Sequence, residues 1–218
     1  MKKSPKLILV VLLATLLLIA PLLTGCKNDD DNKDSNENKN AEAPDYSDID
    51  VFEHIELGAY TGIEISAGAD KGSTALALWE QIVDNARVIK YPQKALDYYL
   101  EQTIRRYQHY ASEGNMDYEE ILLSLGLTEN DIENEAKGYV KSDLVELAII
   151  KSENISLSNE EKEKFLDRYI ENYVSTYRYS KDYVRNNLIE EVYSSMLHDK
   201  MLEYLLLKNT ISEEKQNG

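Results

Sequence analysis

From Thr74 onward the apolar residues of this 218-residue chain recur every three or four positions, and residues that start and stop helices interrupt them at short intervals. That pattern confines the chain to a mostly α fold, because the apolar stripe of each helix is buried only when several helices pack together. The spacing predicts a first helix over about residues 74–88, with Leu76, Trp79, Ile82, Val83 and Ala86 on its apolar side. Pro92, whose fixed φ suits the first helical position, opens a second helix that carries Leu96, Leu100 or Tyr99, Thr103, Tyr107 and Tyr110 and stops at Gly114. Asp117 with Glu120 forms a capping box for a short helix ended by Gly126. Thr128 starts a long helix whose stripe is Ile132, Ala136, Val140, Leu144, Leu147 and Ile150. Ser158 with Glu161 repeats the box ahead of Phe165, Tyr169, Ile170, Tyr173 and Val174, and Ser180 opens the last helix, which runs through Val184, Leu188, Val192 and Met196 to Leu205, Leu206 and Leu207.

Ahead of the helices, Val51 to Leu57 alternates apolar and polar residues, then come Gly58 to Gly62 and Ile63-Glu64-Ile65. This is the pattern of one or two short strands around a glycine turn. Still further upstream, Lys2, Lys3 and Lys6 precede an apolar run that closes on Leu23-Thr24-Gly25-Cys26. The basic start, the apolar stretch and the small residues before the cleavage point are those of a secretory leader. The run is interrupted by Pro21 and is short for a membrane span. Its one unusual residue is Cys26, the single cysteine of the chain, which sits where diacylglycerol would be attached in a bacterial lipoprotein. Acyl chains contribute about 0.8 kcal/mol per buried methylene, so more than one gives a stable anchor.

The expected organisation is a leader over 1–25, a lipidated cysteine and disordered acidic tether over 26–50, strands and connector over 51–73, a helical domain over 74–211 and a disordered tail over 212–218. Residues 27–44, rich in Asn, Asp and Lys, contain no aliphatic side chain larger than alanine and cannot offset their ordering entropy by burial. As a flexible coil they reach on the order of 20 to 25 Å. The formal charge of −16 becomes −19 once Lys2, Lys3 and Lys6 leave with the leader. Nucleic acid is thereby excluded as a partner, and the body is expected to stand off anionic headgroups on the extracytoplasmic face of the cell membrane. With no cysteine after Cys26 there is no intramolecular disulfide, so a packed core must hold the body together.

The residues offer no catalytic constellation. His54, His109 and His198 are far apart and lack a second ligand at metal spacing, there is no glycine-rich phosphate loop, and no serine sits in a nucleophile elbow. The expectation is therefore no enzyme, no metal and no cofactor. The chain is instead rich in tyrosine, 16 residues against 2 phenylalanines and 1 tryptophan. Tyr169, Tyr173, Tyr177 and Tyr183 crowd one helix junction with Tyr179, as apolar rings with polar tips. Such rings either seal helix contacts or face a cleft and hold apolar chains; the four are the candidate client-binding residues.

Two stretches resemble trigger factor, the bacterial chaperone. Phe52 to Ile65, read F-E-H-I-E-L-G-A-Y-T-G-I-E-I, is similar to the strand that leaves the ribosome-binding domain of that family. Residues 78–83 and then Tyr91-Pro92-Gln93-Lys94-Ala95-Leu96 are similar to the start of its helical C-terminal domain. The likeness continues through Gly126-Leu127-Thr128 and Glu135-Ala136-Lys137 to the leucine-rich end before Asn209. The position of the ribosome-binding domain is taken by the leader and tether, and only residues 66–73 stand where the family has an FKBP-type prolyl isomerase. The resemblance implies an elongated multi-helix domain with two helical arms, like that shared by parvulin-type foldases. It further implies an ATP-independent, membrane-anchored chaperone for unfolded or newly exported polypeptides, with no ribosome among its partners. An envelope scaffold that binds one folded partner and a residual prolyl isomerase are the alternative readings.

Overall fold

The computed structural model describes residues 43–212. The leader, Leu23, Thr24, Gly25 and Cys26 lie outside the described residues, as do most of the tether and residues 213–218. A 3-10 turn at Val51–Glu53 is followed by β1 (Ile55–Glu56), β2 (Glu64–Ser66), α1 (Lys71–Asn85), β3 (Arg87–Val88), α2 (Gln93–Glu113), α3 (Tyr118–Leu125), α4 (Glu129–Glu153), α5 (Asn159–Tyr177), α6 (Lys181–Asn187), α7 (Ile189–Lys208) and β4 (Thr210–Ser212). The mostly α class holds, and no helix among the described residues is long and apolar enough to cross a membrane.

Local chemistry sets the helix limits. Reciprocal capping boxes join Asp117 to Glu120, Thr128 to Asp131 and Ser158 to Glu161 at the starts of α3, α4 and α5. Gly126 ends α3 in the left-handed region at φ 69°, and Asn154 and Arg178 end α4 and α5 in the same way. A fourth box, Asp70 with Ser73, moves the start of α1 three residues upstream of the expected Thr74. At its other end Asn85 stops α1, and Arg87 and Val88, expected as helix, pair antiparallel with Glu56 and Ile55. Gly58 makes that crossing possible, because a Cβ there would meet the Asn85 carbonyl oxygen at 2.3 Å.

The two N-terminal strands do not pair with each other. β2 instead lies parallel to β4, with Ile65 opposite Ile211. Ser212 therefore belongs to the folded body rather than to the tail. The tether boundary shifts as well, since Tyr46 and Ile49 pack on the core and Asp50 caps the 3-10 turn.

The main core lies where α1 meets the C-terminal halves of α4 and α7, around Leu78, Trp79, Ile82, Leu144, Ile149, Met201 and Leu205. Two smaller cores lie beyond it. Tyr107, Leu122 and Ile132 join the end of α2, α3 and the start of α4 into a first arm. Tyr169, Ile170, Val184, Val192 and Met196 join α5, α6 and the start of α7 into a second. The last expected helix is divided at Leu188, whose φ of −127° leaves the helical region, so α6 folds back as a short cover on α5.

Candidate functional site

Half of the 16 tyrosines serve a purpose that periodicity does not reveal. Tyr46, Tyr60, Tyr99, Tyr107, Tyr118, Tyr139, Tyr169 and Tyr204 all donate their phenol hydrogens to carboxylates. With 40 acids against 24 bases, many carboxylates have no cation to meet, and a phenol is a neutral donor that also brings apolar area. Tyr46 and Tyr99 both donate to Oδ2 of Asp143, at 2.7 and 2.8 Å, clasping the segment before the 3-10 turn and α2 to the middle of α4. Burial pushes the Asp143 carboxyl up to about 6, against the pull of these two bonds and with the neighbouring Glu146 charge adding to it. At Glu135 the donors are Tyr107, Tyr139 and the Arg106 guanidinium.

The four tyrosines singled out by sequence divide accordingly. Tyr169 is 8% exposed, donates to Asp199 and belongs to the core of the second arm. Burial first, and then the Asp199 bond, raise its pKa to about 12. Tyr173 is half-buried, with its hydroxyl 2.9 Å from that of Ser195. Tyr177 is half-buried and edge-on to Tyr173, and Tyr183, at 39% exposed, is the most open of the four. Consecutive ring contacts through Tyr177, Tyr179 and Tyr183, with centroids 6.1 and 5.0 Å apart, make a ladder along the α5–α6 junction.

Two apolar surfaces lie apart from this ladder. The first is a cavity of about 420 Å³ at the root of the second arm, between the start of α1, α5 and α7. Its apolar lining is Ala75, Leu157, Phe165, Tyr169, Met196, Leu202 and Leu206. Its rim carries the ion pairs Lys71–Glu203 and Lys200–Glu161, at 3.4 and 2.6 Å, and the Arg168 guanidinium lies over Phe165 and Tyr169. The second is the tip of the first arm, where Leu123 is 80% exposed and Leu125, Tyr110 and Met116 are also open. Every charged side chain from Tyr107 to Ala136, His109 apart, is an acid. The signal that could have found this tip was the run Ile121-Leu122-Leu123-Ser124-Leu125, which puts more leucine on a short helix than one buried stripe can use.

The histidines are spread out. His54 Nδ1 lies 3.0 Å from the Lys90 carbonyl, His109 beside Glu113 and His198 against Glu146. Among the described residues no three histidine, cysteine or acidic side chains are grouped to hold a metal ion. What the arrangement offers is two apolar contact surfaces on separate arms, set in charged rims.

A family model described as the C-terminus of the bacterial trigger factor protein matches residues 67–207. Among curated proteins, the trigger factor of Caldicellulosiruptor bescii is 24% identical over 184 residues, which cover 81% of this chain and 41% of the relative. The trigger factor of Caldicellulosiruptor saccharolyticus is 25% identical over 184 residues, covering 80% and 41%. This chain spans about two fifths of the length of these relatives.

Proposed function

The chain belongs to the bacterial trigger factor C-terminus family, and from that premise we propose that it is a membrane-anchored, extracytoplasmic holder of unfolded or newly exported polypeptides. Family membership supports a chaperone-like role in protein folding. The observation that carries the reading is the tip of the first arm, where Leu123, Leu125, Tyr110 and Met116 remain exposed on a monomer. Weak contacts there and in the groove beside α5 would hold apolar client side chains, while the acidic rim keeps the loaded protein in solution. Acidity at the tip favours clients whose apolar residues stand near lysine or arginine.

The test is light scattering of a denatured client. The protein should suppress aggregation at a few-fold molar excess, and Leu123→Ser with Leu125→Ser should weaken that suppression while circular dichroism melts stay in place. A wild-type protein without effect on several clients, together with one folded partner captured at near-stoichiometric yield from crosslinked cells, would instead establish the envelope scaffold.

The anchor is proposed on the sequence around Cys26 alone. Cys26→Ala should abolish incorporation of labelled fatty acid and release the protein or leave an unprocessed precursor. Prolyl isomerase activity is not part of the proposal. Residues 67–70 alone connect β2 to α1, too few for an isomerase domain at that point. The purified protein should leave the isomerisation of a proline peptide at its spontaneous rate, on the order of tens to hundreds of seconds.

A further inference from the structure

We propose that His198 is a titratable pin that fixes the second arm to the body, so that the stiffness of the arm follows pH. The inference rests on geometry along α7. Upstream of His198 this helix contributes Val192 and Met196 to the core of the arm, and downstream it contributes Met201 and Leu205 to the main core. Between them, residues 198–200 carry a run of polar contacts. His198 Nδ1 lies 2.8 Å from Glu146 Oε2 on α4, Asp199 receives the Tyr169 hydroxyl from α5, and Lys200 Nζ lies 2.6 Å from Glu161 Oε1 on α5. His198 thus joins this hinge to the body, and Asp199 and Lys200 join it to the arm.

The surroundings of the imidazole leave it one strong partner. Trp79 of α1 meets the ring edge-on, with centroids 6.1 Å apart, and brings no charge. From α4 come Glu146 and, beyond it, the Asp143 carboxyl; from α7 itself comes Asp199. Burial disfavours the imidazolium, but the Glu146 bond and charge, with Asp199 adding to them, outweigh it and raise the pKa above the ordinary histidine value. A raised histidine pKa means that the pin is fully in place below about pH 6.5, the unfolded value, and is lost as pH rises through the higher folded value. Above that point Glu146 faces a neutral ring, and the α4–α7 contact at the base of the arm weakens.

Only the consequence for clients rests on the chaperone reading; the hinge is measured without a client. Hydrogen exchange of the intact protein, corrected for intrinsic rates, should show α5, α6 and the start of α7 opening about three-fold or more faster at about pH 9 than at about pH 6.5, with α3 as the internal reference. His198→Gln should remove this pH dependence and exchange at the high-pH level throughout. His198→Lys, charged across the range, should restore slow exchange at both values. Wild-type exchange that does not change with pH, or a His198→Gln protein that retains the same dependence, overturns the pin. Aggregation assays at the same two pH values then read the client effect separately, so a failure of client holding leaves the hinge result standing.

Discussion

The two arms are built by the same chain and meet water differently. The first is a two-helix hairpin in which α2 runs beside α4, closed by the short α3 over Tyr107, Leu122 and Ile132, and, His109 apart, the segment from Tyr107 to Ala136 that carries its exposed leucines has only acidic charge. The second has a larger core, including Val184 and Val192 that are wholly buried, and a surface where Lys181–Glu171 and Arg185–Asp167 pair opposite charges. Apolar area that the second arm spends on its own cohesion is left outside in the first. A small core closed by one eight-residue helix cannot cover its own leucines, and the result is an exposed apolar surface.

If the arms are independent units, damage to one should spare the other. Ile132→Ala, at a fully buried position, should cost about 2–5 kcal/mol and speed hydrogen exchange through α3 and the adjoining turns while α5 and α6 keep theirs. Equal loss of protection in both arms would break the comparison. A smaller effect sharpens it through pH. The Asp143 clasp joins α2 to α4 at the base of the first arm, and its carboxyl is raised from 3.8 to about 6. The stability it contributes is therefore present below about pH 3.8 and lost as pH rises through about 6. Asp143→Asn should flatten that window and melt higher than wild type at neutral pH, by about 2 kcal/mol, whereas the His198 pin acts above it. Smaller again, Thr103 is 1% exposed and its hydroxyl has no partner, so Thr103→Val should raise the melting temperature by an amount worth about 1 kcal/mol. The least effect on stability, within about 0.5 kcal/mol each, is expected for Leu123→Ser and Tyr183→Ser, both exposed. They should differ in client holding, with Leu123→Ser the weaker holder. Equal loss from both would spread the contact over the two arms.

Local chemistry was legible in the sequence and distant chemistry was not. Capping boxes at Asp117, Thr128 and Ser158 are decided within four residues, and each stands where the pattern puts it. The α6–α7 break at Leu188 carries no proline or glycine to announce it, and β4 is three residues long with its partner 146 positions upstream. Tyr46 falls within the expected tether, and the carboxylate that holds it is 97 residues away. The same distance limited the site. Periodicity identified Tyr169 and Tyr173 as apolar positions with polar tips, but whether such a tip meets water or Asp199 depends on a helix elsewhere in the chain. The outward leucines of α3 were open to reading, since they exceed one stripe on a helix of two turns.

The bonds from phenols to carboxylates carry a consequence for ionic strength. A cohesion built on lysine and arginine weakens as salt screens it, whereas a hydrogen bond from an uncharged hydroxyl is a short-range contact that counter-ions barely reach. Added salt would therefore leave bonds such as Tyr99 to Asp143 intact while damping the mutual repulsion of 40 acids. The parts of the body clasped by phenols should thus gain firmness in brine, while the ion-paired surface of the second arm softens.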